Sequence, residues 1–78
     1  MDLIDQFFED EADDRVREIL LRACTRRDLE QGYLTFNAFN VRLDYGVGIA
    51  VVEDELNPEA EQSISISELI RRLEQPPG

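Results

Sequence analysis

The side chains best suited to chemistry in this chain are its carboxylates and a single cysteine. The sequence holds 18 acidic residues and 8 arginines, with no lysine and no histidine. Catalysis of the Ser-His-Asp or Cys-His kind needs an imidazole that exchanges a proton near neutral pH, so both classes are excluded. A zinc site built from cysteine and histidine is excluded as well, because one cysteine cannot supply the ligands.

Cys24 lies on the apolar side of a helical segment, close in sequence to arginines at 22, 26 and 27 that would lower the pKa of an exposed thiol. A redox or nucleophilic role is one interpretation. The favoured one is a small buried hydrophobic residue, because the chain offers no second cysteine and no base. A lone cysteine forms no internal disulfide, and Met1–Asp5 lack the features of a signal peptide, so we expect a cytoplasmic protein.

Carboxylate pairs can act as acid and base only where a pocket separates their pKa values. A chain of 78 residues has little volume for such a pocket, so we predict that the protein is not an enzyme. The oxygen donors between Glu9 and Asp14 lack the glycine and the terminal glutamate of an EF-hand loop. We therefore predict no metal site and no cofactor.

The formal net charge of -10 restricts the class of partner. A negative field repels nucleic-acid phosphates and anionic lipid headgroups, and it attracts basic protein surfaces. The longest apolar run, Ile49–Val52, is far shorter than the roughly 20 residues of a membrane span. We expect a basic protein partner, with no direct binding to nucleic acid or membrane.

The acids are concentrated in two runs: residues 1–14 contain seven acids and residues 53–62 contain five, and neither run contains a base. Each run alone is typical of a solvated face, but two unpaired runs on so small a protein favour a basic partner. Tyr45, expected at a hairpin tip, is a candidate aromatic anchor, unless its ring folds back onto the sheet. Tyr33 and Phe8 are further candidates for anchors. The predicted partner-binding residues are Glu9, Asp10, Glu11, Asp13, Asp14, Tyr45, Glu53, Asp54, Glu55, Glu59 and Glu61.

Apolar residues from Asp2 to Glu30 recur at spacings of three and four, which predicts one helix or two. We favour a short helix to about Phe8, a break at the acids, and a longer helix to about Glu30. Arg27 would lie near the end of that helix, and Gly32 would stop it.

Alternating apolar residues predict a β-hairpin over about 34–53, with a three-residue loop at Asp44–Gly46 in which Gly46 adopts the left-handed conformation. The alternation slips near Asn37, which indicates a bulge or a loop before the strand. Residues 63–66 could add a third strand.

Ser65 or Ser67 is expected to cap a short final helix that ends at Pro76 and Pro77. Asn57 and Pro58 predict a turn after the hairpin. The predicted fold is a single α+β domain over 1–78: one layer of a two- or three-stranded antiparallel sheet packed against N-terminal helices and a short C-terminal helix.

This combination predicts a non-enzymatic, acidic inhibitor that docks on a nuclease or a nucleic-acid-binding protein. It could be an immunity protein against a toxin nuclease, or a DNA mimic such as a phage anti-defence or anti-CRISPR protein. The alternative is a structural or adaptor subunit that docks through Tyr45, Phe36 and Phe8 and uses its charge for solubility.

Overall fold

Seven elements make up the part of the chain that the computed structural model describes, residues 2–26, 28–57 and 59–75. Within these residues the elements are α1 (Leu3–Asp10), α2 (Asp14–Cys24), β1 (Gln31–Thr35), β2 (Phe39–Asp44), β3 (Ile49–Asp54), β4 (Glu61–Ser65) and α3 (Ile66–Glu74). The strands form one open antiparallel sheet in the order β1-β2-β3-β4. The α+β prediction is confirmed, with one strand more than the two or three expected.

The two faces of the sheet differ because successive side chains of a strand point to opposite sides. Leu34, Val41 and Val52 lie side by side on one face, where the two valines are fully buried. Tyr33 and Arg42 are neighbours on the other face and are exposed. The helices cover the first face, since α1 and α3 pack against β3 and β4 and α2 packs against α3.

The core lies between the sheet and the helices. Its largest fully buried side chains are Phe7, Leu20, Leu43, Leu69, Val41 and Val52. The ring of Phe7 meets that of Phe39 edge-on, with 5.6 Å between the ring centroids. Each large apolar side chain buried in this way stabilises the fold by about 1.5–3 kcal/mol relative to an exposed one.

Each helix begins at a side chain that accepts a hydrogen bond from a free backbone N–H of the first turn. Asp2 accepts from the Asp5 N–H at 2.8 Å, and Asp13 accepts from the Val16 N–H at 2.9 Å. Because Asp13 starts a new helix, the favoured division into two N-terminal helices is confirmed. Ser65, not Ser67, caps α3.

The predicted end of the second helix near Glu30 is wrong, because α2 ends at Cys24. The Thr25 hydroxyl donates to the carbonyl oxygen of Arg22 at 3.0 Å and closes the last turn. Gly32 therefore lies within β1 and is not a helix stop. A Cβ atom at this position would be 3.1 Å from the hydroxyl oxygen of Tyr45, so the close approach of that ring favours glycine.

The turn between β2 and β3 has four residues, Tyr45–Gly48, in place of the predicted three. Its left-handed residue is Gly48, with φ of 73°, so the assignment of that conformation to Gly46 is wrong. The Asp44 carboxylate accepts from the N–H groups of Gly46 and Val47 at 3.0 and 3.3 Å. These two hydrogen bonds stabilise a four-residue turn, one residue longer than the loop predicted from the position of Gly46.

The alternation of apolar residues is interrupted near Asn37 because a turn joins two strands there. In this turn the Phe36 N–H donates to the Phe39 carbonyl at 2.8 Å. Leu34 thus belongs to β1, and the predicted hairpin over 34–53 is shorter, running from Phe39 to Asp54. The expected third strand is present as β4. The helix-end position of Arg27, the turn proline Pro58 and the terminal Pro76 and Pro77 lie outside the described residues.

Candidate protein-binding end of the sheet

Three connections meet at one end of the sheet, around the backbone of Ala38. The Ala38 N–H donates to the carboxylate of Glu11, which lies between α1 and α2. The Ala38 carbonyl accepts from the N–H of Glu55 at 3.0 Å, in the loop between β3 and β4. The two acidic runs, separated by about forty residues in sequence, therefore flank the same turn.

We call this region the acidic end. It includes the connection 11–13 with its flanking residues, the turn 36–38, the loop residues 55–57, 59 and 60, and the adjoining strand ends. The carboxylates gathered here are ten of the predicted partner-binding residues: Glu9, Asp10, Glu11, Asp13, Asp14, Glu53, Asp54, Glu55, Glu59 and Glu61. The structure thus places the predicted acids in one region that the sequence alone did not bring together.

Tyr45 lies at the opposite end of the sheet, and its ring folds back onto the molecule. Its hydroxyl donates to the carbonyl oxygen of Ala23 in α2, and its ring packs beside Gly32. Partial burial raises the pKa of the Tyr45 hydroxyl. The expectation of an aromatic ring projecting from the hairpin tip is wrong. Val47, which is 70% exposed, occupies the projecting position.

Among the five acids from Glu9 to Asp14, two side chains hold the fold and three do not. Glu11 binds the Ala38 N–H, and Asp13 caps α2. Glu9, Asp10 and Asp14 are exposed and have no hydrogen bond or ion pair with another described residue. These three charges are therefore available to a partner.

In the second run, Glu53 is the centre of a polar network on the open face of the sheet. Its carboxylate accepts from the Tyr33 hydroxyl at 3.0 Å and from the Asn40 amide at 3.4 Å, and Arg42 lies 3.9 Å away. The bond to Glu53 raises the pKa of Tyr33. The amide oxygen of Asn40 is buried and has no partner within the described residues, so the network keeps an unused acceptor.

Asp54 and Glu61 also have structural roles, whereas the remaining acids of this run do not. Asp54 accepts from the Leu56 N–H at 2.8 Å and shapes the loop, and Glu61 lies 3.8 Å from Arg42. Glu55 and Glu59 are exposed and, among the residues that the structure describes, their side chains have no bonded partner.

A groove runs along the acidic end, between the α1–α2 connection and β1. We call it the edge groove. Four acidic residues line it, Glu9, Asp10, Glu11 and Asp13, and we call them its acidic wall. Its apolar lining residues Phe8, Val16, Ile19, Leu34 and Phe36 are called its floor. Ile19 is 37% exposed, so part of this floor is open to a partner's side chains.

Two arginines also line the edge groove, but one is fully engaged. Arg17 donates to the carbonyl oxygens of Ala12, Leu73 and Gln75 at 3.1, 3.1 and 3.0 Å. Its charge thus stabilises the carboxyl end of α3, where a cation is favoured by the helix dipole. Arg15 is exposed, but four carboxylates outnumber the two arginines, so the wall of the groove is negative overall.

Sequence reasoning missed the apolar part of this end. Leu56 is 91% exposed and lies directly after Glu55 in the loop, yet it was not among the candidates. Val16 and Ile19 are predicted only as members of the helical apolar pattern between Asp2 and Glu30. The available signal for Leu56 was its place outside the alternating strand pattern, between an acid and an Asn-Pro turn.

The prediction of a buried Cys24 is confirmed. Its side chain belongs to the core, and burial raises the pKa of the thiol to about 11, so the thiol stays protonated near neutral pH. No group of three or more Cys, Asp or Glu side chains is placed to hold a metal ion within residues 2–26, 28–57 and 59–75. In the same part of the chain, no helix is long and apolar enough to cross a membrane.

Comparison of the chain with protein-family models, with curated proteins and with solved structures found no match.

Proposed function

We propose that this protein is a non-enzymatic cytoplasmic inhibitor that binds a basic protein surface with its acidic end. The partner is a nuclease or a nucleic-acid-binding protein. The chain acts either as an immunity protein against a toxin nuclease or as a DNA mimic of the phage anti-defence kind. In both cases its carboxylates meet basic groups that would otherwise contact nucleic-acid phosphates.

The observation that carries this proposal is the placement of Glu9 and Asp10. Both lie in the last turn of α1, which contains no basic residue. The helix dipole disfavours negative charge at this position by about 0.3–1 kcal/mol per group. Neither side chain offsets this cost by a bond to another described residue, so their value to the protein lies in a contact outside the fold.

The acidic end also offers a candidate for an apolar anchor. Charge complementarity accelerates association, while retention depends on a few apolar contacts from which water is excluded. Leu56 projects from the loop beside Glu55 and is almost fully exposed. A partner that covers the acids would also bury this side chain.

The alternative of an apolar adaptor subunit has less support from the structure. The most exposed apolar residues, Val47 and Leu56, flank opposite ends of β3 and so form no continuous patch. Phe8 and Phe36 are half-buried in the floor of the edge groove, and Tyr45 is packed at the other end. The exposed apolar residues therefore fit a supporting role beside the acidic end better than a docking surface of their own.

Two triple variants test the proposal, and each removes three negative charges without adding bulk. The acidic-end variant carries Glu9→Gln, Asp10→Asn and Glu55→Gln. The control variant carries the same substitution types elsewhere: Glu18→Gln, Asp28→Asn and Glu30→Gln. Wild-type protein and both variants are used to capture partners from host lysate, and each captured protein is then purified for titration calorimetry and for assay of its own activity.

We expect the wild type to capture a basic nuclease or nucleic-acid-binding protein, to inhibit it, and to release it at high salt. The acidic-end variant should bind at least tenfold more weakly, and the control variant should stay within threefold of the wild type. Equal weakening by both variants would mean that only net charge matters. Capture of an acidic partner that resists salt would reject the proposal.

A further inference from the structure

We propose that the open edge of β1 receives an extended basic segment of the partner as a fifth, antiparallel strand, with its apolar side chains in the edge groove. This inference rests on the proposed function and specifies how the partner is held. Addition of a strand to a sheet edge gives affinity through main-chain hydrogen bonds and specificity through alternate side chains.

The hydrogen-bond pattern shows which backbone groups of β1 are unused. The Tyr45 N–H donates to Glu30 O at 2.9 Å and the Phe36 N–H to Phe39 O at 2.8 Å, at the two limits of the β1–β2 pairing. Since bonded and non-bonded pairs alternate in an antiparallel ladder, Tyr33 and Thr35 turn their N–H and C=O groups away from β2. Within the described residues, β1 has no strand on that side.

The edge groove lies directly beside these unused groups. Tyr33, Leu34 and Thr35 form one side of it, and Val16 and Ile19 of α2 lie on the other. An added strand would point every second side chain to the face on which Leu34 lies, over this apolar floor. Small apolar side chains at alternate positions therefore suit the space, with polar side chains between them on the open face.

Charge decides between a basic partner and a second copy of the chain. The acidic wall of the edge groove adjoins the turn after Thr35, at the carboxyl end of β1. Two copies paired edge to edge would bring their acidic walls together, and each copy carries a formal charge of -10. In an antiparallel partner strand, the amino end lies at this wall, so the basic residues belong at that end.

The opposite sheet edge supplies a matched control. Hydrogen bonds from the Ile66 N–H to Gly48 O and from the Asp54 N–H to Ala60 O, at 2.8 and 3.0 Å, set the alternation in the β3–β4 pair. Ser63 therefore turns its N–H outward from β4, as Thr35 does from β1. Among the described residues, none of β4 lines the edge groove, so this second edge lacks the apolar floor, although Glu61 places a carboxylate at the start of β4.

The probe is the capped peptide Arg-Arg-Val-Thr-Val-Thr-Val, titrated into the full chain and followed by amide hydrogen exchange. We expect exchange of the Tyr33 and Thr35 amides to slow at least tenfold in the complex, while the Ser63 amide is unchanged. Thr35→Pro removes one outward donor without breaking the β1–β2 ladder, and it should weaken binding at least fivefold. Ser63→Pro should change the affinity less than twofold, and replacing both peptide arginines by glutamine should weaken binding at least fivefold.

Absence of binding, or binding without protection of Tyr33 and Thr35, would overturn the proposal. A wild-type dimer that Thr35→Pro dissociates would assign the edge to a second copy and would also overturn it. Thr35→Pro is also tested against the captured nuclease or nucleic-acid-binding protein. If that protein binds Thr35→Pro normally but not the acidic-end variant, strand addition fails while the inhibitor function stands. If the captured protein binds Thr35→Pro and the acidic-end variant as tightly as the wild type, the proposed inhibitor function is rejected.

Discussion

The two ends of the sheet use charged side chains differently. At the opposite end, which comprises residues 25, 26, 28–30 and 45–48, Arg26 binds the Asp28 carboxylate through two hydrogen bonds of 2.8 Å. This contact lowers the pKa of Asp28 to about 2. At the acidic end, Glu9, Asp10 and Glu55 are exposed and have no such partner among the described residues. Among the described residues, Glu30 is the only acid of the opposite end whose side chain has no partner, whereas the acidic end has five such acids.

The net charge is therefore distributed unevenly over the surface, in a way that solubility does not require. A chain that needed only solubility could distribute its acids over the surface and place them where helix dipoles favour them. Here five acids without a side-chain partner among the described residues lie around the backbone of Ala38, and two of them oppose the dipole of α1. If the opposite end is structural and the acidic end is functional, substitutions at the first change stability and substitutions at the second change binding.

The largest expected effect on stability is at the opposite end. Tyr45→Ala removes a ring that packs beside Gly32 and a hydroxyl that donates to Ala23 O. We expect the free energy of unfolding to fall by about 2–4 kcal/mol, measured by urea denaturation. Val47→Ala, in the same turn but exposed, is the control and should change it by less than about 0.5 kcal/mol. If both substitutions lowered the free energy of unfolding equally, the contacts of Tyr45 would not distinguish it from the exposed Val47.

A smaller effect is expected in alkali from Cys24, close to Tyr45. The folded thiol has a raised pKa of about 11, against an ordinary value of 9.0. Between these values the unfolded chain loses the proton and the folded chain keeps it, so stability falls as the pH rises through this window. The loss should be on the order of 2 kcal/mol.

The comparison of wild type with Cys24→Ala isolates this contribution, because both proteins keep the two tyrosines. Unfolding free energies measured across the alkaline range should fall more steeply for the wild type. Parallel curves for the two proteins would show that the thiol is not protected in the folded state.

The smallest effect has the opposite sign. The acidic-end variant described above should unfold with a free energy higher by a few tenths of a kcal/mol at low salt, because it relieves repulsion and the unfavourable dipole contact. The control variant loses the contacts of Glu18 with Arg22 and of Asp28 with Arg26, so it should gain nothing. A loss of stability in the acidic-end variant would show that its acids support the fold.

Much of the fold follows from local rules. Side-chain alternation predicts β2 and β3, the acids predict a break between two N-terminal helices, and Ser65 is one of the two serines predicted to cap the final helix. The wrong predictions concern positions whose conformation depends on a residue that is distant in sequence. Gly32 is explained by the ring of Tyr45, thirteen positions further on, and no pattern around Gly32 reveals that contact.

The candidate site was predictable in its residues but not in its shape. Runs of acidic residues are visible in a sequence, and ten of the predicted acidic residues lie at the acidic end. Their meeting point is not visible, because the bonds that join the runs use the backbone N–H and C=O of Ala38. The edge groove is not predictable for a similar reason: it depends on β1, where the sequence predicts a helix stop at Gly32 and the start of the hairpin strand near Leu34.

The junction at Ala38 has a consequence for sequence variation in this protein. Both of its bonds come from the main chain, and its own side chain is exposed. Position 38 can therefore drift among nearly all residue types while the junction persists, and only proline, which has no N–H, is barred. The acidic end could thus be preserved across diverging sequences with little identity at the residue that joins it.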